Sequence, residues 1–327
     1  MSKKCKEEYH FKQQYFNILK ETSKEINFYV KQYIQKNFNL LPKIRKIMIN
    51  EFSLGKSQLR PSQLKFVYKL AGGKNVKEII PLCAAFALKE RHYYYFDDYF
   101  DLNIKPKGII MTGIPFQLIS WGILSKLNKN YSSKQVKDII KEFYMLDELN
   151  LQGFLIEQEL GLKKKELYLK KVYGYNFWEQ IFRVGVIMAN SSTQKINLLG
   201  EIGKNMGMSI IISNDTWDFG KDLEDFRLGI YTLPITHALE NSKGEDNKIL
   251  KSFFGKNKMS EKEKDKIRKI VVRIGSIKYG KNEAQKYRNI ALKLLKKFPD
   301  SEERKMIEFA STMTEKNKYF KKLEEYE

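Results

Sequence analysis

Acidic residues at helical spacing are the part of the sequence best suited to chemistry. The segment FDDYFD carries three carboxylates, at Asp97, Asp98 and Asp101. On a helix, Asp97 and Asp101 are i, i+4 neighbours whose Cβ atoms lie about 5–6 Å apart. Carboxylates so close repel each other unless a cation lies between them, and oxygen ligands favour a hard cation such as Mg²⁺. A solvated acidic helix end is the alternative for this motif taken alone.

A second polar stripe follows the apolar run 206–212. Asn214, Asp218 and Asp222 fall at i, i+4 and i+8, which places them on one helix face, and Lys221 lies beside them as a point charge for phosphate oxygens. An ordinary polar helix end explains this stripe by itself. Two acidic stripes that each follow an apolar helix favour a pocket with facing metal sites, and therefore a diphosphate substrate.

The elements that must position these residues are helical. The chain has 327 residues with only 7 prolines and 19 glycines, and it shows no internal repeat, linker or alternating run typical of strands. We therefore predict one all-α domain over residues 1–327, with about ten to twelve helices. The predicted helices are 9–38, 62–71, 77–102, 108–127, 133–160, 165–190, 195–219, 233–242, 247–254, 260–278, 280–297 and 301–324.

Composition excludes several classes of protein. Two cysteines and three histidines cannot build a disulfide scaffold or a zinc site, and they fit a reducing, cytoplasmic compartment. The N-terminal segment is charged and has no apolar run, so we expect no signal peptide there. The apolar segment 108–124 is interrupted by polar residues, glycine and proline, which predicts a buried helix and no transmembrane segment.

The formal net charge of +21 has two interpretations. The lysines are spread along the chain in short clusters, including Lys170–Lys171, and this pattern favours a solvated basic surface. A nucleic-acid-binding helical protein is the alternative, resting on charge alone. We expect no nucleic-acid partner, because no nucleic-acid-binding signature accompanies the lysines.

With these motifs, the chain resembles the trans-isoprenyl diphosphate synthase superfamily. The first motif matches the family's D-D-x-x-D, and N-D-x-x-D followed by D-x-x-x-G-x-x-T-L-P over 225–234 resembles its second aspartate-rich region. Gly55 and the segment 59–61 resemble its G-G-K-R-x-R-P region. The resemblance implies an isoprenoid synthase-type helical bundle around a deep central apolar cavity, a homodimer, and Mg²⁺ as the cofactor, with three ions bound with the substrate diphosphate.

The departures from the family pattern concern the basic pocket for isopentenyl diphosphate. Arg60 is kept, but other pocket positions carry different residues: Ser57 and Gln58 for a Lys-Arg pair, Glu90 for a histidine, Pro106 and Lys107 for an Arg-Arg pair, Ile211 for a glutamine, and Tyr173 and Gly174 for a Lys-Thr pair. A carboxylate in place of a cation repels a diphosphate. We therefore expect isopentenyl diphosphate to be a poor co-substrate.

The leading hypothesis is a terpene synthase-like enzyme, a class I cyclase that ionises an allylic isoprenoid diphosphate and releases diphosphate. The spacing of the second stripe also resembles the class I terpene synthase motif N-D-x-x-S/T-x-x-x-E. The residues expected to act fall into four groups. They are the catalytic Asp97, Asp98, Asp101, Asn214 and Asp218; the metal ligands Asp97, Asp101, Asn214, Asp218 and Asp222; the diphosphate-binding Arg60, Lys107 and Lys221; and the cavity or chain-length residues His92, Tyr93 and Phe96.

Three alternatives stay open. One is an isoprenyl diphosphate synthase, a prenyltransferase that elongates an allylic diphosphate with isopentenyl diphosphate in a remodelled basic pocket. Another is prenyl transfer to a non-standard acceptor, as in related bacterial enzymes that prenylate peptide pheromones. The last is a non-catalytic partner subunit, against which the two intact acidic motifs argue.

Overall fold

A computed structural model describes residues 3–37, 42–53, 58–101, 109–127, 131–159, 165–314 and 318–326. Within these ranges the chain forms sixteen α-helices and no strand, so the all-α prediction is confirmed. The helices are α1 (Lys3–Asn37), α2 (Pro42–Glu51), α3 (Leu59–Leu70), α4 (Ile80–Asp101), α5 (Ile109–Leu124), α6 (Ser133–Glu159), α7 (Lys165–Gly174), α8 (Trp178–Met188), α9 (Thr193–Lys221), α10 (Glu224–Leu228), α11 (Leu233–Asn241), α12 (Gly244–Phe253), α13 (Glu261–Arg273), α14 (Ser276–Leu295), α15 (Glu302–Thr312) and α16 (Lys318–Glu324).

The chain divides into two compact units. The first comprises 1–142, 181–197 and 301–306, and the second comprises 143–180, 198–300 and 307–327. In the first unit, α4 packs against α1, α3 and α5. Its buried face is apolar from Leu82 to Leu88, and Ser120 on α5 donates a hydrogen bond to the carbonyl of Ala85 at 3.0 Å. This packing holds the first acidic motif at the end of a well-buried helix.

In the second unit, the apolar run of α9 ends at the second acidic motif. Met208 and Ile212 pack with Tyr168 and Val172 of α7 in one buried cluster. The helices approach closely: a Cβ atom added at Gly207 would lie 1.9 Å from the side-chain oxygen of Asn176. The second motif therefore projects from a helix whose preceding turns are fixed by packing.

Several helix boundaries differ from the sequence prediction. The predicted helix 165–190 is two helices, α7 and α8, because Asn176 accepts a hydrogen bond from the Trp178 amide at 3.0 Å and so begins a new helix. The predicted helix 301–324 is likewise described as α15 and α16, and helices α2 and α10 were not predicted. The single-domain boundary stays a prediction.

The apolar segment over 108–124 forms α5, a helix of 16 residues from Ile109. No helix among the described residues is both long enough and apolar enough to cross a membrane.

Candidate active site

The first acidic motif lies in the last turns of α4. The side chain of Asp97 is half-buried, while the side chains of Asp98 and Asp101 lie outside the described residues, as does Lys107. The charge of Asp97 acts on Arg60, on α3. Burial lowers the pKa of Arg60, but Tyr94, Glu90 and Asp97 together outweigh it and leave that pKa raised. Arg60, predicted from the sequence to bind diphosphate, is therefore in the electrostatic field of the first motif.

Glu90 and Tyr94 hold the Arg60 guanidinium. The Nε atom of Arg60 lies 3.0 Å from Glu90 Oε1, and its Nη2 donates to the Tyr94 hydroxyl at 3.0 Å. That hydroxyl lies 3.5 Å from Glu90 Oε1. The carboxylate expected to repel a diphosphate is thus paired with the one cation of the family pattern that this sequence keeps.

Gln58, at a family arginine position, is turned toward α1. Its side chain is fully buried and donates to Asn27 Oδ1 at 3.1 Å, and its backbone amide donates to Ser23 Oγ at 3.0 Å. The residue has become part of the packing between α1 and α3. Ser57 lies outside the described residues.

The predicted cavity residues form one aromatic group. His92 is buried, and its Nδ1 atom lies 3.0 Å from the Gly113 carbonyl oxygen on α5. Its ring centroid lies 4.9 Å from that of Tyr93 and 4.7 Å from that of Phe96. The contact of His92 with α5 fits a packing role, and the effect of Tyr93 on chain length stays a prediction.

The second acidic motif lies in the last two turns of α9. Asn214 is exposed, whereas Asp215 accepts a hydrogen bond from the Tyr168 hydroxyl at 2.7 Å. One turn later, Asp218 Oδ2 accepts the backbone amide of Asp225 at 3.2 Å, which joins α9 to the start of α10. Asp215 is not among the predicted ligands, although it occupies the second position of N-D-x-x-D.

Burial makes both carboxyls hard to ionise. Burial raises the pKa of Asp215 to about 6, against the opposing effects of Lys171 and Tyr168. Burial also raises the pKa of Asp218 to about 6, with the Asp225 amide opposing it. The negative charge of Asp215 also raises the pKa of Asp218, and that of Glu157 raises the pKa of Asp215.

Lys171 is a buried cation of the second unit that sequence analysis missed. Its ammonium pairs with Glu157, which also accepts a hydrogen bond from the Tyr175 hydroxyl, and both side chains of the ion pair are 9% exposed. Burial lowers the pKa of Lys171, but Glu157 and Asp215 outweigh it and leave that pKa raised. The short cluster Lys170–Lys171 was interpreted as solvated surface; the structure places Lys170 there and buries Lys171.

Asp222 and Lys221 have other partners. One oxygen of Asp222 lies 2.6 Å from Arg227 Nη2, and the other pairs with Lys264. Lys221 is exposed, and its ammonium lies 3.8 Å from Glu224. The structure therefore does not group the stripe Asn214, Asp218 and Asp222 as a ligand set, and the role of Asp222 as a metal ligand stays a prediction.

The donor set fits a hard divalent cation. Within the described parts of the chain, no three His, Cys, Asp or Glu side chains are grouped to hold a metal ion. Asp215 and Asp218 nevertheless supply carboxylate oxygens whose mutual repulsion a cation between them would relieve. The remaining predicted carboxylates, Asp98 and Asp101, are outside what the structure describes.

Comparisons with known proteins show which family and which solved structures the chain is similar to. Residues 164–271 match the family model described as polyprenyl synthetase. The chain is 24% identical to a geranylgeranyl diphosphate synthase of Saccharolobus solfataricus, over 88% of this chain and 92% of that protein. A geranylgeranyl pyrophosphate synthetase from Pyrococcus horikoshii has a TM-score of 0.81 at 19% identity, covering 94% of this chain and 99% of that one. A polyprenyl synthase from Caulobacter crescentus, solved with calcium and isoprenyl diphosphate, has a TM-score of 0.77 at 18% identity, covering 92% and 96%.

The described residues form an all-α fold like that of these synthases, and the relatives indicate that the protein is an enzyme. Over residues 164–271 by the family model, and along most of its length by its relatives, the chain is similar to isoprenyl diphosphate synthases. The leading sequence hypothesis, a terpene synthase-like cyclase, gains no support from these relatives, which favour the alternative of an isoprenyl diphosphate synthase. The cyclase hypothesis rested on substitutions at the basic pocket positions. The sequence alone does not show whether other residues compensate for those substitutions.

We predict that ionisation of the Asp218 carboxyl lowers the stability of the folded protein. We expect Asp218→Asn to raise the melting temperature of metal-free protein at pH 7.5 and to change it little near pH 4. The folded pKa of about 6 exceeds the value of about 3.9 in an unfolded chain, so ionisation costs stability as pH rises through this window. Asparagine cannot ionise and keeps an oxygen for the Asp225 amide. Thermal unfolding with chelator at both pH values measures the difference.

Asp222→Asn is the matched control, with the opposite expected sign. Burial raises the pKa of Asp222, but Lys264 and Arg227 outweigh burial and leave that pKa lowered. The ionised carboxylate therefore stabilises the folded protein at pH values above the pKa of an unfolded aspartate. Removal of its charge lowers the melting temperature at pH 7.5. Equal destabilisation by both variants would contradict the buried, raised-pKa state of Asp218.

Proposed function

We propose that the protein is an isoprenyl diphosphate synthase that elongates an allylic isoprenoid diphosphate with isopentenyl diphosphate. The observation that carries the proposal is the Asp215 and Asp218 pair at the end of α9, in a chain related to geranylgeranyl diphosphate synthases along most of both lengths. The expected cytoplasmic location and the absence of a nucleic-acid partner stay predictions.

The proposed reaction breaks the allylic C–O bond, and its electron pair leaves with the diphosphate. The double bond of isopentenyl diphosphate supplies the electrons of the new C–C bond, and loss of one proton restores an alkene in the longer product. Bound Mg²⁺, expected as three ions, would act as a Lewis acid on the leaving diphosphate. Asp215 and Asp218 would hold metal at the end of α9, and the role of Asp97 as a metal ligand stays a prediction from the sequence.

Lys171 would set the charge around the second motif. Its ammonium lowers the pKa of Asp215, which favours the ionised carboxylate that a metal ion needs. Because Lys171 is buried against Glu157, it is held in place and does not depend on solvent counter-ions. We assign it a positioning role toward Asp215.

The first test supplies labelled isopentenyl diphosphate with allylic partners of ten, fifteen and twenty carbons and Mg²⁺. We expect label in a longer diphosphate, with diphosphate released in equal amount. Release of diphosphate from the allylic partner alone, with no label incorporated at any concentration, would contradict elongation. Transfer to a peptide acceptor in place of isopentenyl diphosphate would support the non-standard acceptor alternative.

A second prediction separates Asp215 from Asp222. We expect Asp215→Asn to lower kcat by at least about 100-fold, the size typical of losing one group that stabilises a developing charge, and to raise the Mg²⁺ concentration for half-maximal rate. Asp222→Asn should keep the Mg²⁺ dependence of the unchanged protein, because both Asp222 oxygens already bind cations of the chain. Equal losses in kcat and Mg²⁺ response for the two variants would return Asp222 to the ligand set.

We further propose a homodimer, as the resemblance implies. On α6, Tyr144, Leu151 and Leu155 are 62%, 59% and 46% exposed, and their i, i+7, i+11 spacing puts them on one face. Large apolar side chains grouped on a surface mark interaction sites. Because the resemblance implies a homodimer, we propose that a second copy of the chain binds this face of α6.

The dimer prediction is tested by charge on this face. Sedimentation of the unchanged protein should give about twice the 38.7 kDa chain mass. The double variant Leu151→Lys with Leu155→Lys should sediment as a monomer at micromolar concentration with its helix content intact. Lys170→Glu, an exposed charge change on α7, is the control and should stay dimeric. A double variant that remains dimeric would place the interface elsewhere.

A further inference from the structure

We propose that Glu90 sets the affinity of the second-substrate site, by holding Arg60 in a neutral pair that the diphosphate of isopentenyl diphosphate must displace. The inference rests on the proposed function, because it assumes that a second diphosphate binds at Arg60. It makes Glu90 a specificity-determining residue that weakens this site without removing it.

The geometry places the pair between two helices of the first unit. Arg60 lies in the first turn of α3 and Glu90 lies on α4, and their Nε and Oε1 atoms are 3.0 Å apart. The Tyr94 hydroxyl accepts from Arg60 at 3.0 Å and lies 3.5 Å from the same Glu90 oxygen. Two of the guanidinium nitrogens are therefore engaged by groups of the chain itself.

Exposure differs across the pair. The Glu90 side chain is 9% exposed, whereas that of Arg60 is 27% exposed. A ligand arriving from solvent reaches the guanidinium more readily than the carboxylate behind it. It meets a cation whose charge is offset by Glu90, so that each oxygen of an incoming diphosphate competes with a carboxylate already bonded.

The surroundings of Glu90 are otherwise suited to an anion. The Tyr94 ring has the Arg60 guanidinium 5.9 Å from its centroid and the Arg91 guanidinium 5.4 Å from it. The Nε atom of Arg91 is buried and has no hydrogen-bond partner among the residues that the structure describes. Removing the charge of Glu90 would leave two guanidinium groups beside one aromatic ring, with Asp97 as the carboxylate that acts on Arg60.

The buried Gln58 supports the same interpretation independently. Because its amide is bonded to Asn27 on α1, it cannot offset the effect of Glu90 by turning toward a ligand without losing that bond. Arg60 carries the positive charge among the described pocket positions that precede the first motif. Whether its guanidinium can bind a diphosphate depends on its ion pair with Glu90.

The test replaces the carboxylate by an amide of the same shape. Glu90→Gln keeps an oxygen for Arg60 and Tyr94 but removes the charge. We expect the KM for isopentenyl diphosphate to fall at least about fivefold, with the KM for the allylic substrate within about twofold. Equilibrium titration with isopentenyl diphosphate alone should show tighter binding by a similar factor.

Glu142→Gln is the matched control. Glu142 also pairs with a partly exposed arginine of the first unit, Arg183, at 2.8 Å, with side chains 5% and 23% exposed. This variant removes a comparable ion pair between α6 and α8, neither of which carries Arg60 or Glu90, and we expect both KM values to stay within about twofold. If Glu90→Gln does not fold, Tyr94→Phe loosens the same pair and should lower the KM for isopentenyl diphosphate by a smaller factor.

The outcomes separate the two proposals. An unchanged or higher KM and Kd for isopentenyl diphosphate in Glu90→Gln, in a folded protein that elongates, would overturn the role of Glu90 alone. Tighter binding by Glu90→Gln with no label incorporated by any form would support the role of Glu90 and overturn elongation. The same gain in Glu142→Gln would show a general effect of charge and would also overturn the role of Glu90.

Discussion

The burial of two neighbouring carboxyls at the end of α9 is the constraint on which the second unit depends. Asp215 and Asp218 stand one turn apart, and burial raises the pKa of each to about 6. Moving a carboxylate out of water is costly unless it accepts hydrogen bonds. Asp215 accepts one from the Tyr168 hydroxyl, and Asp218 accepts one from the Asp225 amide. A divalent cation between the two carboxylates would remove the repulsion between them, and the proposed metal site rests on this argument.

Close backbone packing keeps that state from relaxing. Gly207, two turns before the motif, leaves room for Asn176, and Gly174 lets α7 approach α6 so closely that an added Cβ would lie 2.6 Å from the Leu149 carbonyl oxygen. Asn176 itself ends one helix segment and caps the next. The buried Lys171 projects from α7 just before this turn, and so the same local geometry that divides α7 from α8 also fixes a cation near Asp215.

Buried cations next to carboxylates occur in both units, with different consequences. Lys171 and Glu157 are equally buried, which makes their pair a fixed part of the unit. Arg60 is more exposed than Glu90, which leaves the cation within reach of a ligand. Breaking a fully buried pair is costly, at about 3–5 kcal/mol, whereas a pair with one exposed partner can exchange that partner for a ligand. The two pairs therefore differ in the exposure of their cations, a property that no sequence pattern reports.

Residue type and spacing determined much by themselves: the all-α class and the two acidic motifs follow from periodicity and local order along the chain. The resemblance to isoprenyl diphosphate synthases rests on those motifs. Local pattern could not determine which side chains the packing buries or pairs. The spacing i, i+4, i+8 selected Asp222, but Arg227 and Lys264 engage it, while Asp215 at i+1 is turned to Tyr168. The sequence does not distinguish the buried Lys171 from its exposed neighbour Lys170. Nor does it show that the charge of Glu90 is paired with Arg60. Ion pairs and pKa values depend on distances between segments far apart in the chain, and only the tertiary structure sets those distances.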